Sequence, residues 1–248
     1  MKKHLHSCPP SRWVSERKRL NSLISTAFLA LAISCPLFAA DPPKVSKERT
    51  PNPPSKTAGQ AGQDAAKWQS LFDGRTLTGW KETAFAGRGA VKVENGKLIL
   101  ESGVMTGVTW TNEHDLPRMD YEISLEAMRV DGSDFFCGLT FPVGPEPCSF
   151  IVGGWGGGVV GLSSVDNEDA AHNETTQYLN FENGKWFAIR VKVTKSRIEA
   201  WIDSDRVVNL ETEGKKLSIR AEVELSKPLG IASWSTAAAL RNIRVRRL

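Results

Sequence analysis

Histidine and tyrosine are almost missing from this chain of 248 residues, which holds four of the first and two of the second. Beyond residue 40 only His114 and His172 remain. No H-E-x-x-H, no G-x-S-x-G and no paired Cys/His spacing occurs, so a zincin, an α/β-hydrolase nucleophile elbow and a structural zinc module are excluded. A basic surface is missing as well. The formal charge of +4 comes from the N-terminus: residues 1–40 hold six of the 32 Lys and Arg and one of the 28 Asp and Glu, leaving 26 against 27. That balance argues for no nucleic-acid partner. Apolar stretches long enough to cross a bilayer are absent too. The longest, Leu23 to Ile33, falls short of the roughly 20 residues a span requires, and Pro36 follows it.

The N-terminus instead reads as an export signal over 1–40. Basic residues end at Arg19, the apolar run follows, and small residues at Ala39 and Ala40 suggest cleavage there. A retained anchor and a lipoprotein signal ending at Cys35 are the alternatives. With the signal removed no transmembrane span is expected, and the location is periplasmic or extracellular. Residues 41–67 are rich in Pro, Gly, Ala and Lys and lack aromatics, the composition of a disordered linker. Only Cys137 and Cys148 lie beyond the signal, too few to staple a domain.

From Trp68 to Leu248 the pattern is that of a single all-β domain. Apolar runs of four to eight residues alternate with Gly, Asn, Asp and Pro, and no helical stripe appears. Val91 to Leu100 is a hairpin with Asn95-Gly96 at its turn. Tyr121 to Ala127 alternates as a half-buried strand. Phe135 to Phe141 and Ser149 to Val152 read as buried strands joined by a Pro-rich loop. If Phe141 faces Cys148, Cys137 lies roughly 13 Å further along its strand, beyond the ~7 Å reach of a disulfide; two separate buried thiols are expected. Placing Val193 opposite Ile198 puts Arg190 opposite Trp201, away from a core of Ile189, Val191, Ala200 and Ile202.

Three features carry candidate chemistry. Seven of the eight Trp lie at or after Trp68. Trp155, Trp201 and Trp234 are candidate carbohydrate platforms, because flat aromatic rings stack on sugar C–H faces; ordinary core packing is the alternative. Gly153 to Gly161 contains a formal G-x-G-x-x-G, but no helix follows, so a tight turn that projects Trp155 is expected rather than a nucleotide site. The acidic loop at 166–174 offers Asp166 and Glu168 as oxygen ligands for Ca²⁺ or Mg²⁺, against the alternative of a solvated loop.

The stretch Trp68-Gln-Ser-Leu-Phe-Asp-Gly-Arg-Thr-Leu-Thr-Gly-Trp80 resembles the opening of the 3-keto-disaccharide hydrolase domain family. The resemblance continues through Val93 to Leu98, Tyr121 to Glu126, Ile198 to Asp203 and Leu240 to Val245. It implies a concanavalin-like jelly-roll β-sandwich, export, a carbohydrate substrate, and cleavage of 3-keto-glycosides by elimination or hydrolysis. Two places depart from the family pattern. A mid-domain acidic strand is replaced by Cys148 to Trp155, and a His-Gly element by Ser233 to Ala238. The resulting cast is Glu126 or Glu174 as base with Arg190, and a divalent cation as a further option, polarising the carbonyl. The alternative is a noncatalytic glycan-binding module on the same sandwich, and a surface interaction domain is the third class.

Overall fold

A computed structural model describes residues 67–248; the signal and nearly all of the linker expected above lie outside the described residues. Two antiparallel sheets face each other. Sheet A runs β13 (Asp205–Glu211), β12 (Arg197–Ile202), β11 (Trp186–Val193), β6 (Tyr121–Gly132), β15 (Thr236–Arg247), β4 (Lys97–Leu100) and β3 (Val91–Glu94), with β1 (Gln69–Ser70) also on β15. Sheet B runs β10 (Gln177–Tyr178), β9 (Val159–Ser163), β8 (Glu146–Gly154), β7 (Cys137–Val143), β14 (Gly230–Trp234), β5 (Met105–Trp110) and β2 (Trp80–Glu82). This is the expected jelly-roll sandwich. Helical structure among the described residues is limited to two 3₁₀ segments, at Glu113–Asp115 and Ala221–Ser226. No helix there is long and apolar enough to cross a membrane.

Period-two alternation decides which side chains meet between the sheets. Sheet A contributes Ile123, Leu125, Ile189, Val191, Leu240 and Ile243; sheet B contributes Leu139, Phe141, Phe150, Val152, Leu162 and Ile231. All are buried in one cluster. The hairpin register is as the sequence predicts: Arg190 pairs with Trp201 and Lys192 with Glu199. Asn95 and Gly96 both adopt positive φ (50° and 77°) at the β3–β4 turn, the conformation that favours Asn-Gly there. Phe141 pairs with Cys148 while Cys137 pairs with Val152. The two cysteines are free and buried, and burial pushes both thiols up to about 12.

The opening motif closes one edge of this core. Trp80 is buried, its indole N–H donates to the Leu71 carbonyl at 2.7 Å, and its ring packs edge-on to Trp110 at 5.2 Å. A second, smaller apolar cluster lies apart from the main core. It joins Met105 of β5, Ile151 of β8 and Ala232 of β14 to Phe135, Val223 and the partly buried Trp234. These strand residues are on the outer side of sheet B: Phe150 and Val152 beside Ile151, Ile231 beside Ala232, and Val108 three positions from Met105 all belong to the main core.

Candidate carbohydrate pocket

A cavity of about 270 Å³ opens on the outer side of sheet B. Its floor is strand: Ile151 and Ser149 of β8, Ser163 of β9 and Met105 of β5. Phe135 and Val223 wall it, and Trp155, Trp234, Asp134, Arg220 and Glu222 complete the lining. The 3₁₀ segment Ala221–Ser226 is held against β5 by a hydrogen bond from Thr109 Oγ1 to the Leu225 carbonyl (2.9 Å). It is anchored on its other side by backbone pairing of Ser164 with Ser218 and of Val165 with Leu217.

Trp155 is 42% exposed, and the glycine run around it explains how an indole is held in that position. Gly153, Trp155, Gly156 and Gly157 all have positive φ, a conformation that glycine adopts without penalty. Arg129 clamps this turn from beneath. It is only 4% exposed, yet its guanidinium donates to the carbonyls of Gly153 (3.1 Å), Gly157 (2.9 Å), Phe181 (3.3 Å) and Asp134 (3.2 Å). Its plane also lies over Phe136 and Phe181. A Cβ at Gly153 would come within 2.5 Å of Arg129 Nη2, so the clamp needs glycine there. Asp134 Oδ1 accepts from the Phe135 N–H and Oδ2 from the Gly156 N–H.

Charge enters the pocket at its mouth. Arg220 donates to Glu222 (2.6 Å) and to Asp169 (3.0 Å), and Asp169 is hydrogen-bonded to His172 (2.6 Å). The hydrogen bond from Arg220 holds the Glu222 carboxyl below its ordinary range, so this acid is ionised at neutral pH. On the floor, Ser149 Oγ bonds Thr140 Oγ1 at 2.8 Å. Ser163 Oγ, in a residue 1% exposed, has no hydrogen-bond partner.

The structure brings Trp155 and Trp234 together here and places the other candidates elsewhere. Glu126, Arg190 and Trp201 lie on the outer face of sheet A. Glu126 accepts from Arg241 (2.8 Å) and Asn242 (2.6 Å); burial pulls its carboxyl up, but these two donors outweigh it and leave it below its usual range. Arg190 lies 3.6 Å over the Trp201 ring and bonds Glu122 at 3.2 Å. Glu174 pairs with Lys215 at 2.5 Å, and so does Asp166 at 3.2 Å. The Asp166 carboxylate also accepts from the Lys216 N–H. An ammonium thus occupies Asp166, and no group of three His, Cys, Asp or Glu among the described residues converges as metal ligands. The acidic loop is organised instead by Asn173, whose amide donates to the carbonyls of Leu162, Glu168 and Asp169.

Sequence reasoning missed Asp134, Ser163, Arg220 and Glu222. Arg220 and Glu222 sit in a stretch with no strand or helix period, and only the fold carries them over β5 and β14.

The domain is similar to solved structures of carbohydrate-related proteins. Crh5 transglycosylase in complex with NAG superposes with a TM-score of 0.51 at 13% identity, over 74% of this chain and 84% of that one. A structure reported under endo-acting O-glycanases of the human gut microbiota gives 0.49 at 16% identity, over 73% and 98%. Carbohydrate-binding module CBM66 from Bacillus subtilis gives 0.44 at 14% identity, over 68% and 95%. No curated protein matches the chain. Residues 67–246 match the 3-keto-alpha-glucoside-1,2-lyase-like domain, and the chain belongs to that family.

Proposed function

We propose that the domain takes a glycoside into the sheet B pocket and cleaves it when the sugar carries a 3-keto group. The observation that carries this reading is the Glu222–Arg220 pair at the mouth of an aromatic-lined cavity, in a member of a lyase-like family. Trp155 and Trp234 offer faces for the sugar ring. A ketone at C3 acidifies the C2–H. Ionised Glu222 accepts that proton, the C1=C2 bond forms, and the C1–O bond breaks. The aglycone oxygen then takes a proton from solvent, and the products are an enone and the free alcohol. Arg220 stabilises the developing enolate oxygen. Glu222 and Arg220 thus take the roles that sequence reading gave to Glu126 or Glu174 and to Arg190. The proposed place of action is outside the cytoplasm, which sequencing of the mature N-terminus tests.

Incubation of the domain with 3-keto-glucosides, with and without Ca²⁺ or Mg²⁺, tests the reaction. Appearance of the ultraviolet-absorbing enone with release of aglycone supports it, and no release across a panel of linkages rejects it. A noncatalytic glycan-binding module is the second reading. It is favoured by β8, which bears no carboxylate past Glu146, and by the absence of histidine from the pocket lining. Saturable binding without turnover distinguishes it.

A further inference from the structure

We propose that the outer face of sheet A holds a second carbohydrate site, separate from the sheet B pocket, that takes a uronic-acid residue of a polysaccharide through Arg244. A cavity of about 470 Å³ opens there, lined by Trp68, Ser124, Glu126, Ala188, Asn242 and Arg244 among others. Short side chains make the depression. Ser124 pairs with Arg190 of β11 on one side and with Arg244 of β15 on the other, and Ala188 pairs with Glu126. Paired residues emerge on the same face of a sheet, so all of these share the outer face.

Positive charge is left over on this face. Strands β6, β11 and β15 bring it four guanidinium groups, on Arg190, Arg241, Arg244 and Arg246, against two carboxylates, on Glu122 and Glu126. Glu122 is taken by Arg190 and Arg246, and Glu126 by Arg241 and Asn242. Arg244 is exposed, and its side chain makes no ion pair or hydrogen bond among the described residues; the guanidinium lies 4.7 Å from the Trp68 ring. Stacking uses the flat face of a guanidinium and leaves its in-plane N–H donors for another partner. Two of those donors match the two oxygens of one carboxylate. A sulfate would bring further charged oxygens beside Glu126, which its two donors keep ionised. The Ser124 hydroxyl and the Asn242 side-chain carbonyl have no partner among the described residues, and they are there for the hydroxyls of the sugar ring. One unspent cation is too little for a duplex or a bilayer, whose hold grows with the number of charges neutralised, and a flat bilayer does not enter a depression. A polysaccharide held here leaves the pocket on the opposite face open.

The test is calorimetric titration of the protein with trigalacturonate and with its methyl ester, which lacks the carboxylate charges. At low salt the acid is expected to bind roughly tenfold tighter than the ester. Arg244→Gln should bring the acid down to the affinity of the ester. Ser124→Gln, which fills the depression and keeps every charge, should abolish binding of both. Arg88→Gln removes the same charge beside Glu82 of sheet B and should keep the advantage of the acid. Equal affinity for acid and ester, or an acid preference that survives Arg244→Gln, overturns the inference. So does competition by dextran sulfate, duplex DNA or phosphatidylglycerol vesicles that is as strong per charge, since the face would then be a general polyanion surface. The inference stands apart from cleavage: binding of a 3-keto-glucoside in the sheet B pocket should be the same in Arg244→Gln, and a parallel loss there would mean that the variant damages the fold, leaving Ser124→Gln to decide.

Discussion

The two outer faces of the sandwich use the same residue types to opposite ends. On sheet A the Trp, Arg and Glu side chains satisfy one another. Arg190 stacks on Trp201, Arg241 on Trp186, and Arg244 and Arg246 on Trp68. Glu122, with its side chain 3% exposed, is clasped by Arg190 and Arg246. On sheet B the indoles of Trp155 and Trp234 border a cavity, and the Ser163 hydroxyl is left unpaired. A tryptophan already covered by a guanidinium offers less free face to a sugar. Residue type alone does not mark a site; what surrounds each side chain does.

The sharpest way to break this comparison is to neutralise one acid on each face. Glu222→Gln should lower turnover of a 3-keto-glucoside by about 100-fold or more while leaving binding in place. Glu126→Gln should leave the rate within about threefold, since its partners are structural. Steady-state kinetics on both variants decides it, and the reverse result would move the reactive face to sheet A. The pH profile sharpens the same point. Because Arg220 lowers the Glu222 carboxyl, the ion pair and the rate should persist below the ordinary carboxylate value. Both should be lost only as pH falls through that lowered folded value.

Stability should separate the faces next. Arg129→Met leaves four carbonyls without their buried donor and should cost roughly 3–5 kcal/mol in urea unfolding. Arg190→Met on sheet A, where the guanidinium is more exposed, should cost about 1 kcal/mol. Comparable losses would mean that the Gly153–Gly157 turn is not held by its clamp.

Affinity gives a smaller contrast. Trp155→Ala should weaken glycoside binding about fivefold, and Trp201→Ala should leave it unchanged; titration of the two variants side by side measures this. The smallest effect is expected between the sheets. Cys137 and Cys148, with thiols pushed up to about 12, should resist alkylation in the folded domain. Both should react once it is denatured without reductant, and fewer than two reactive thiols would signal a bridge.

Much of the fold was legible because strand periodicity is a local property. The β11–β12 register, the Asn95-Gly96 turn and the separation of Cys137 from Cys148 all follow from side chains that alternate between faces. The glycine run announced a turn that projects Trp155, and it does. The pocket was only half legible. Trp155 and Trp234 stood out by residue type, but Trp201 did so equally, and Glu126 and Arg190 fit a plausible acid and electrophile until their partners were visible.

Alternation, turn chemistry and the opening and closing motifs by themselves determined an all-β sandwich and its family, because each needs only neighbours in sequence. Which side chains line a cavity on each outer face was decided by tertiary structure alone. Arg220 and Glu222 meet Ser163, Phe135 and Trp155 only because the 217–226 segment is laid across β5 and β14. The pairing of Arg190 with Glu122 or of Asp166 with Lys215 likewise depends on contacts between residues distant in the chain. A local pattern specifies the face on which a side chain emerges, but not which partner from elsewhere in the chain reaches it there.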